Sequence, residues 1–266
     1  MQIFDFHTHI FPDDLASHAL GKLGYGEFIK PASDGTLTGT KAVMQDAGIG
    51  GFLTLHIATK ATNQKNVNDF AIAVHNSGLA KAFGSVHPSS VDALDELNRI
   101  KNAGLPGIKM HPDYQGFVLD DKNIMYPIFE RARDLGLIVL FHAGLDPGFM
   151  DKNRASIDAI KNVARDFKGL KFVAAHFGGL FEAHRVQDEL AGKVEIYLDT
   201  SCSVGFVEPE TATKIINRHG AQNILFGSDC PWGDPKKHFE FIDSLKLTDN
   251  QKELIFYTNA KKLLNF

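Results

Sequence analysis

This sequence predicts an α/β fold in which eight parallel strands alternate with helices and close into a (β/α)8 TIM barrel. Three observations carry that prediction. Short apolar runs recur along all 266 residues with helical patterns between them, and such alternation requires parallel strands. Eight units in this length favour closure over an open doubly wound sheet, and no composition shift divides the chain, so residues 1–266 read as one TIM-barrel domain. No G-x-G-x-x-G or P-loop follows any strand, which argues against a nucleotide-binding sheet.

Each element has its own signal. Strand one is Ile3 to His9, followed by a Gly-rich, irregular stretch from Ile10 to Leu37. Thr40 to Gly48 reads as a short helix stopped by glycine. Strand two is Phe52 to Ala58, and Asn66 to Ser77 reads as a helix before strand three at Lys81 to His87. Ser89-Ser90 can cap a helix from Val91 to Ala103, whose Leu94, Leu97 and Ile100 share one face. Strand four, Gly107 to His111, precedes a helix at Ile124 to Leu135, and strand five is Leu137 to His142. A helix at Ser156 to Phe167 leads to strand six at Lys171 to His176, and one at Phe181 to Leu190 to strand seven at Val194 to Thr200. Pro209 to His219 is helical, strand eight is Ile224 to Asp229, and helices at Pro235 to Leu245 and Asp249 to Asn259 finish the chain.

Composition bounds the function. Hydrophobic residues make up 44% and charged residues 23%, the balance of an ordinary globular protein. A formal net charge of -4 gives no reason to expect nucleic acid or an acidic membrane as partner. Two cysteines cannot build a disulfide framework, no apolar run approaches the length of a membrane span, and the first ten residues lack a secretory pattern. The expected setting is cytoplasmic.

Four apolar runs end in a metal-type ligand: the first at His7-Thr8-His9, the others at His142, His176 and Asp229. Strand residues alternate faces, so His7 and His9 are expected to point the same way, with Asp5 behind them as a partner for an imidazole N–H. In a closed parallel barrel these strand ends meet at one mouth, where nitrogen and oxygen ligands can hold a divalent ion. The plain alternative for each is a hydrogen-bonded core residue or, for Asp229, a helix cap. Lys109 and His111 share a face of strand four. Lys109 as an ammonium would attract an anionic substrate; carboxylated, it would bridge a second ion. His56 and His87 end strands as wall residues, Tyr114 and Arg154 sit in loops where they can bind a carboxylate, and Cys202 and Cys230 read as pocket lining.

Asp5-Phe6-His7-Thr8-His9, Gly107-Ile108-Lys109-Met110-His111-Pro112, Gln115-Gly116-Phe117, Phe141-His142-Ala143-Gly144, Ala175-His176-Phe177-Gly178-Gly179, Gly227-Ser228-Asp229-Cys230-Pro231 and Asn259-Ala260-Lys261-Lys262-Leu263-Leu264 occur in that order. With them the chain resembles the amidohydrolase superfamily, in the amidohydrolase-2 branch that also holds enzymes like aminocarboxymuconate-semialdehyde decarboxylase. The resemblance implies a metal site at the C-terminal ends of the strands. His7, His9, His142 and Asp229 would hold one ion, Zn2+ by first choice or Mn2+, with His176 positioning a water. The minority arrangement places a second ion on His142, His176 and a carboxylated Lys109.

The leading expectation is hydrolysis of an amide, lactone or ester-like bond in a small carboxylated substrate. Asp229 would act as base, His176 would orient the water, and Lys109, His111 and Arg154 would bind the substrate. The alternative is non-oxidative decarboxylation by the same site, with Asp229 protonating carbon. A metal-binding sensor without chemistry is a third reading, against which stands the carboxylate beside an open metal position. The 10–37 stretch is expected to form a lid or pocket wall through Phe11, Leu23, Tyr25 and Phe28, or to pack in a homodimer.

Overall fold

Among the described residues, eight parallel strands wind around one axis in chain order. A computed structural model describes residues 1–23 and 30–266, for 22 and 23 the backbone alone. The strands are β1 (Phe4–Thr8), β2 (Gly51–Leu55), β3 (Lys81–Phe83), β4 (Gly107–Met110), β5 (Ile138–Phe141), β6 (Phe172–Ala174), β7 (Tyr197–Asp199) and β8 (Ile224–Leu225). Ladders join β1 to β3 and β4 to β8. Parallel bridges at Gly84–Ile108 and Thr8–Cys230 close the two seams. The expected barrel is formed.

Its interior is an apolar plug. Phe4, Phe6, Leu53, Leu55, Phe83, Ile138, Leu140, Val173, Ala175 and Leu225 form one buried cluster, sealed by Ala260, Leu263 and Leu264. Side chains gathered from opposite strands in this way can meet only inside the barrel. The larger second cluster, including Ile108, Met110, Val139, Phe141 and Phe172, packs outward against the helices. Alternation along each strand therefore sorts residues between the two layers.

Strand β1 breaks that alternation. Simple phase would place Phe4, Phe6 and Thr8 on one face and Asp5, His7 and His9 on the other. Instead Phe4 and Phe6 fill the interior while His7 and His9 line the cavity at the mouth. The β1–β2 register slips between Asp5 and Thr8, and an irregularity of this kind re-aims the residues beyond it. The Asp5 carboxylate takes the backbone N–H groups of His7 (3.0 Å) and Ser228 (3.1 Å), so the displaced amide is satisfied. Asp5 thus supports the bend in the backbone rather than an imidazole, and burial pushes its carboxyl up to about 7.

The helices are α1 (Asp13–Leu23), α2 (Leu37–Asp46), α3 (Gln64–Asn76), α4 (Ala93–Asn102), α5 (Pro112–Gln115), α6 (Tyr126–Asp134), α7 (Ile157–Asp166), α8 (Ala183–Arg185), α9 (Pro209–His219), α10 (Pro235–Ser244), α11 (Asp249–Glu253) and α12 (Asn259–Leu264). The stretch expected to be irregular from Ile10 contains α1, whose first turn carries Asp13 and Asp14 against the helix dipole. Phe11 lines the mouth cavity; Tyr25, Phe28 and the Leu23 side chain lie outside the described residues. Ser89 and Ser90 do not cap α4, which begins after Asp92 without a side-chain cap. The helix expected over Phe181 to Leu190 is α8 followed by a π-helical turn, Val186–Leu190. A second such turn, Leu254–Thr258, joins α11 to α12. No helix among the described residues is long and apolar enough to cross a membrane.

Candidate metal centre

Beyond the C-terminal strand ends lies a cavity of about 430 Å³, lined at its floor by His7, His9, Lys109, His142, His176 and Asp229. The wider walls are mostly apolar, with Phe11, Leu15, Leu55, Val67, Phe70 and Trp232 among them. All four strand-end ligand segments therefore reach one place.

One group is His7, His9 and Asp229, whose ligand atoms lie within 4.8 Å of one another. His7 Nε2 is 3.2 Å from His9 Nε2 and 3.2 Å from Asp229 Oδ1; His9 Nε2 is 3.3 Å from the same oxygen. The outer ring nitrogens fix the tautomers. His9 Nδ1 faces the Leu55 carbonyl at 2.9 Å and must donate to it, and His7 Nδ1 faces Asp199 Oδ2 at 2.8 Å. Both Nε2 atoms then turn lone pairs toward a carboxylate oxygen. Three acceptors so close call for positive charge, which the Lys109 amine 3.3 Å from His7 Nε2 supplies from one side only, so these residues fit a cation. The same demand shows in His7, whose affinity for a proton is raised: burial and Lys109 oppose the charge, but Asp199 and Asp229 outweigh them. Asp229 is held well below the usual carboxylate range, because His7 and His9 more than offset its burial.

His142 lies on the opposite wall and reaches the floor by a different route. His176 Nδ1 faces the Ser201 carbonyl at 3.3 Å and donates to it. Its Nε2, 3.0 Å from His142 Nδ1, must then accept, so His142 Nε2 carries a bare lone pair. That atom is buried and has no hydrogen-bond partner among the described residues, which is how a metal ligand waits for its ion. Burial holds His142 well below the usual imidazole range and His176 down to about 4, so both are neutral. In this arrangement both ring nitrogens of His176 are engaged, and it orients His142.

The remaining residues separate. Lys109 Nζ is 3.3 Å from His7 Nε2, and burial lowers its pKa to about 8. His111 stacks on His142 with ring centroids 4.3 Å apart. The Tyr114 N–H donates to His111 Nδ1 (3.5 Å), so Nε2–H is left facing Asp146 Oδ2 at 3.5 Å. His111, His142 and Asp146 are close enough to hold a metal, but that tautomer makes His111 a donor rather than a ligand. His56, Tyr114 and Cys202 also line the cavity, whereas Arg154, His87 and Cys230 are not among its lining residues. The Arg154 guanidinium instead pairs with the buried Asp113 at 3.4 Å.

Asp199 and Ser201 were not singled out by the sequence reading, although Tyr197-Leu198-Asp199 repeats the pattern of a strand ending in a ligand type. Close packing beyond β8 brings Ser201 to the site: a Cβ on Gly227 would lie 2.8 Å from His7 Cβ and 3.5 Å from Ser201 Cβ, so only glycine lets the chain pass so near. His176, Cys202 and Asp229 adopt left-handed backbone angles of φ 58, 53 and 68. Such conformations in side-chain-bearing residues gather at functional sites.

A parallel barrel with a cation-demanding cluster at its C-terminal mouth defines a class of metal-dependent barrel proteins. The profile of the Amidohydrolase family matches residues 4–266, and the chain belongs to that family. No curated protein matches the chain. It is similar in structure to 5-carboxyvanillate decarboxylase from Sphingomonas paucimobilis, at 16% identity and a TM-score of 0.74, covering 100% of this chain and 99% of that one. A dihydroxybenzoic acid decarboxylase from Polaromonas sp. JS666, with bound manganese and the inhibitor 2-nitroresorcinol, gives 14% identity and a TM-score of 0.72 over 99% and 97%. A putative amidohydrolase from Staphylococcus aureus gives 19% and 0.74 over 100% of both chains.

Proposed function

We propose that this chain is a divalent-metal-dependent carboxy-lyase that removes carbon dioxide from a small aromatic or enoic acid. The observation that carries the reading is the division of the cavity, with a floor of cation ligands and Lys109 beneath apolar walls. An anionic carboxylate fits the floor and a single ring fits the walls, within the size range of small-molecule pockets. The decarboxylases among similar structures support this over hydrolysis, the leading expectation from sequence.

His7, His9, Asp229 and His142 would hold the ion, Zn2+ or Mn2+, which supplies Lewis-acid binding of substrate oxygen when present. Lys109, as an ammonium, neutralises the carboxylate that is to leave. His111 presents its Nε2–H on the stacked wall, and Asp146 holds that proton in place. Arg154 is occupied by Asp113 and gives no clamp. Apolar walls keep water from the carbon where charge develops. As the bond to carbon dioxide breaks and its electron pair stays on carbon, Asp229 would pass a proton taken from solvent to that carbon; the Cys202 thiol donates to its Oδ2 at 3.2 Å.

One observation favours hydrolysis: Asp229 rests ionised, the state of a base. The two reactions part in labelled water. The chain loaded with Mn2+ or Zn2+ is offered single-ring hydroxy acids, enoic acids, lactones and amides. Decarboxylation releases carbon dioxide and places solvent deuterium on carbon. Heavy oxygen from water appearing in a product acid, without carbon dioxide, overturns the proposal in favour of hydrolysis.

A further inference from the structure

We propose that Asp199 is the positioning residue of the metal centre, and that by accepting from His7 Nδ1 and anchoring His176 it holds the ligand lone pairs of both walls toward the ion. The inference rests on the metal-centre reading above and assigns a role to a residue at the end of β7 that touches neither cavity nor ion.

Asp199 is fully buried, and among the described residues its side-chain hydrogen bonds lead to His7, His176 and Ser201. Oδ2 accepts from His7 Nδ1 at 2.8 Å. Oδ1 accepts the backbone N–H of His176 and of Ser201, each at 3.0 Å, and the Ser201 hydroxyl. Ser201 Oγ, its proton given to Asp199, lies 3.0 Å from His7 Nδ1 and 2.9 Å from His176 Nδ1 and can accept from either. One carboxylate therefore sets His7 directly. It also fixes the left-handed backbone at His176, whose Nε2 in turn sets the His142 tautomer.

The logic is that a ligating imidazole must carry its proton on the nitrogen away from the ion. An acceptor-only carboxylate at position 199 enforces this. Asparagine of the same shape does not, because its amide N–H can donate to His7 Nδ1 and drive the proton onto Nε2, where it would face the ion. The backbone N–H groups of His176 and Ser201 keep an acceptor in the Asn carbonyl.

The test uses the full chain loaded with zinc, with ion affinity read by chelator competition and imidazole N–H groups by proton–nitrogen NMR. Wild type is expected to show a hydrogen-bonded Nδ1–H on His7. Asp199→Asn is expected to retain its circular dichroism, lose that resonance, and bind zinc about 10–100-fold more weakly, as loss of a ligand's supporting carboxylate does. Ser201→Ala is expected to shift affinity less, because the direct Asp199–His7 bond survives. Equal zinc affinity in Asp199→Asn, or a wild-type His7 without Nδ1–H, overturns the role of Asp199 while leaving the metal centre standing. The wild-type spectrum decides even if the variant fails to fold. Wild type that binds no zinc overturns the metal centre itself and this inference with it.

Discussion

The two walls of the mouth use the same residue type to opposite ends. On the β1–β8 side, His7 stands between Asp199 and Asp229, and its proton affinity rises despite complete burial. On the β4–β6 side, His142 stacks on His111 and bonds to His176, and burial holds all three neutral at ordinary pH. The difference teaches that burial keeps a histidine neutral unless carboxylates flank it on both sides, as they do at His7 and not at His9, which has Asp229 alone and stays lowered. Flanking carboxylates make a wall that demands positive charge; neighbouring imidazoles make a wall that offers lone pairs and donors. A cation between the walls satisfies both.

Removing the charged wall should have the largest effect. Asp229→Ala is expected to lower turnover by about 10²–10⁴-fold, the usual contribution of a positioned proton carrier, and to weaken ion retention. Full turnover in that variant would erase the contrast. Stripping the ion with a chelator should abolish turnover and lower Tm by a few degrees, since a ligand at about 100 times its Kd stabilises by about 2.7 kcal/mol. Readdition of Mn2+ or Zn2+ should restore both.

Within the neutral wall, two stacked rings should behave differently. His142→Ala is expected to reduce metal content measured by elemental analysis, whereas His111→Ala should keep the ion and raise KM. Reversal of those outcomes would exchange the roles of ligand and donor. The smallest effect lies behind the wall. Burial and the nearby Asp146 push the Asp113 carboxyl up to about 6, against the pull of Arg154. Its protonated form is thus favoured in the folded chain, a contribution present below about pH 4 and lost as pH rises through 6. Asp113→Asn should flatten the fall in Tm across that window, and an unchanged slope would assign the shift elsewhere.

Much of this was legible because apolar runs ending in His or Asp mark barrel strands that stop at a polar mouth. That signal found His7, His9, His142, His176 and Asp229, and the cavity gathers all five. Asp199 carries the same signal, but the strand pattern runs on to Thr200, and nothing local says that its carboxylate turns toward β1. Alternation predicted that His7 and His9 share a direction, yet it placed Asp5 on the wrong task, because a register slip is a property of two strands and not of one. Helix α1 was obscured by the glycines around it, and the two π-helical turns escape any reading based on a 3.6-residue period. Arg154 looked free in sequence; its buried partner Asp113 lies 41 positions away.

The left-handed residues at His176, Cys202 and Asp229 all crowd the β6–β8 rim. Each such conformation costs on the order of 1–3 kcal/mol, so this rim is where the chain forgoes robustness to keep its aim. Attempts to make the protein heat-tolerant should leave that arc alone and work on the outer helices, where substitutions change melting without touching alignment.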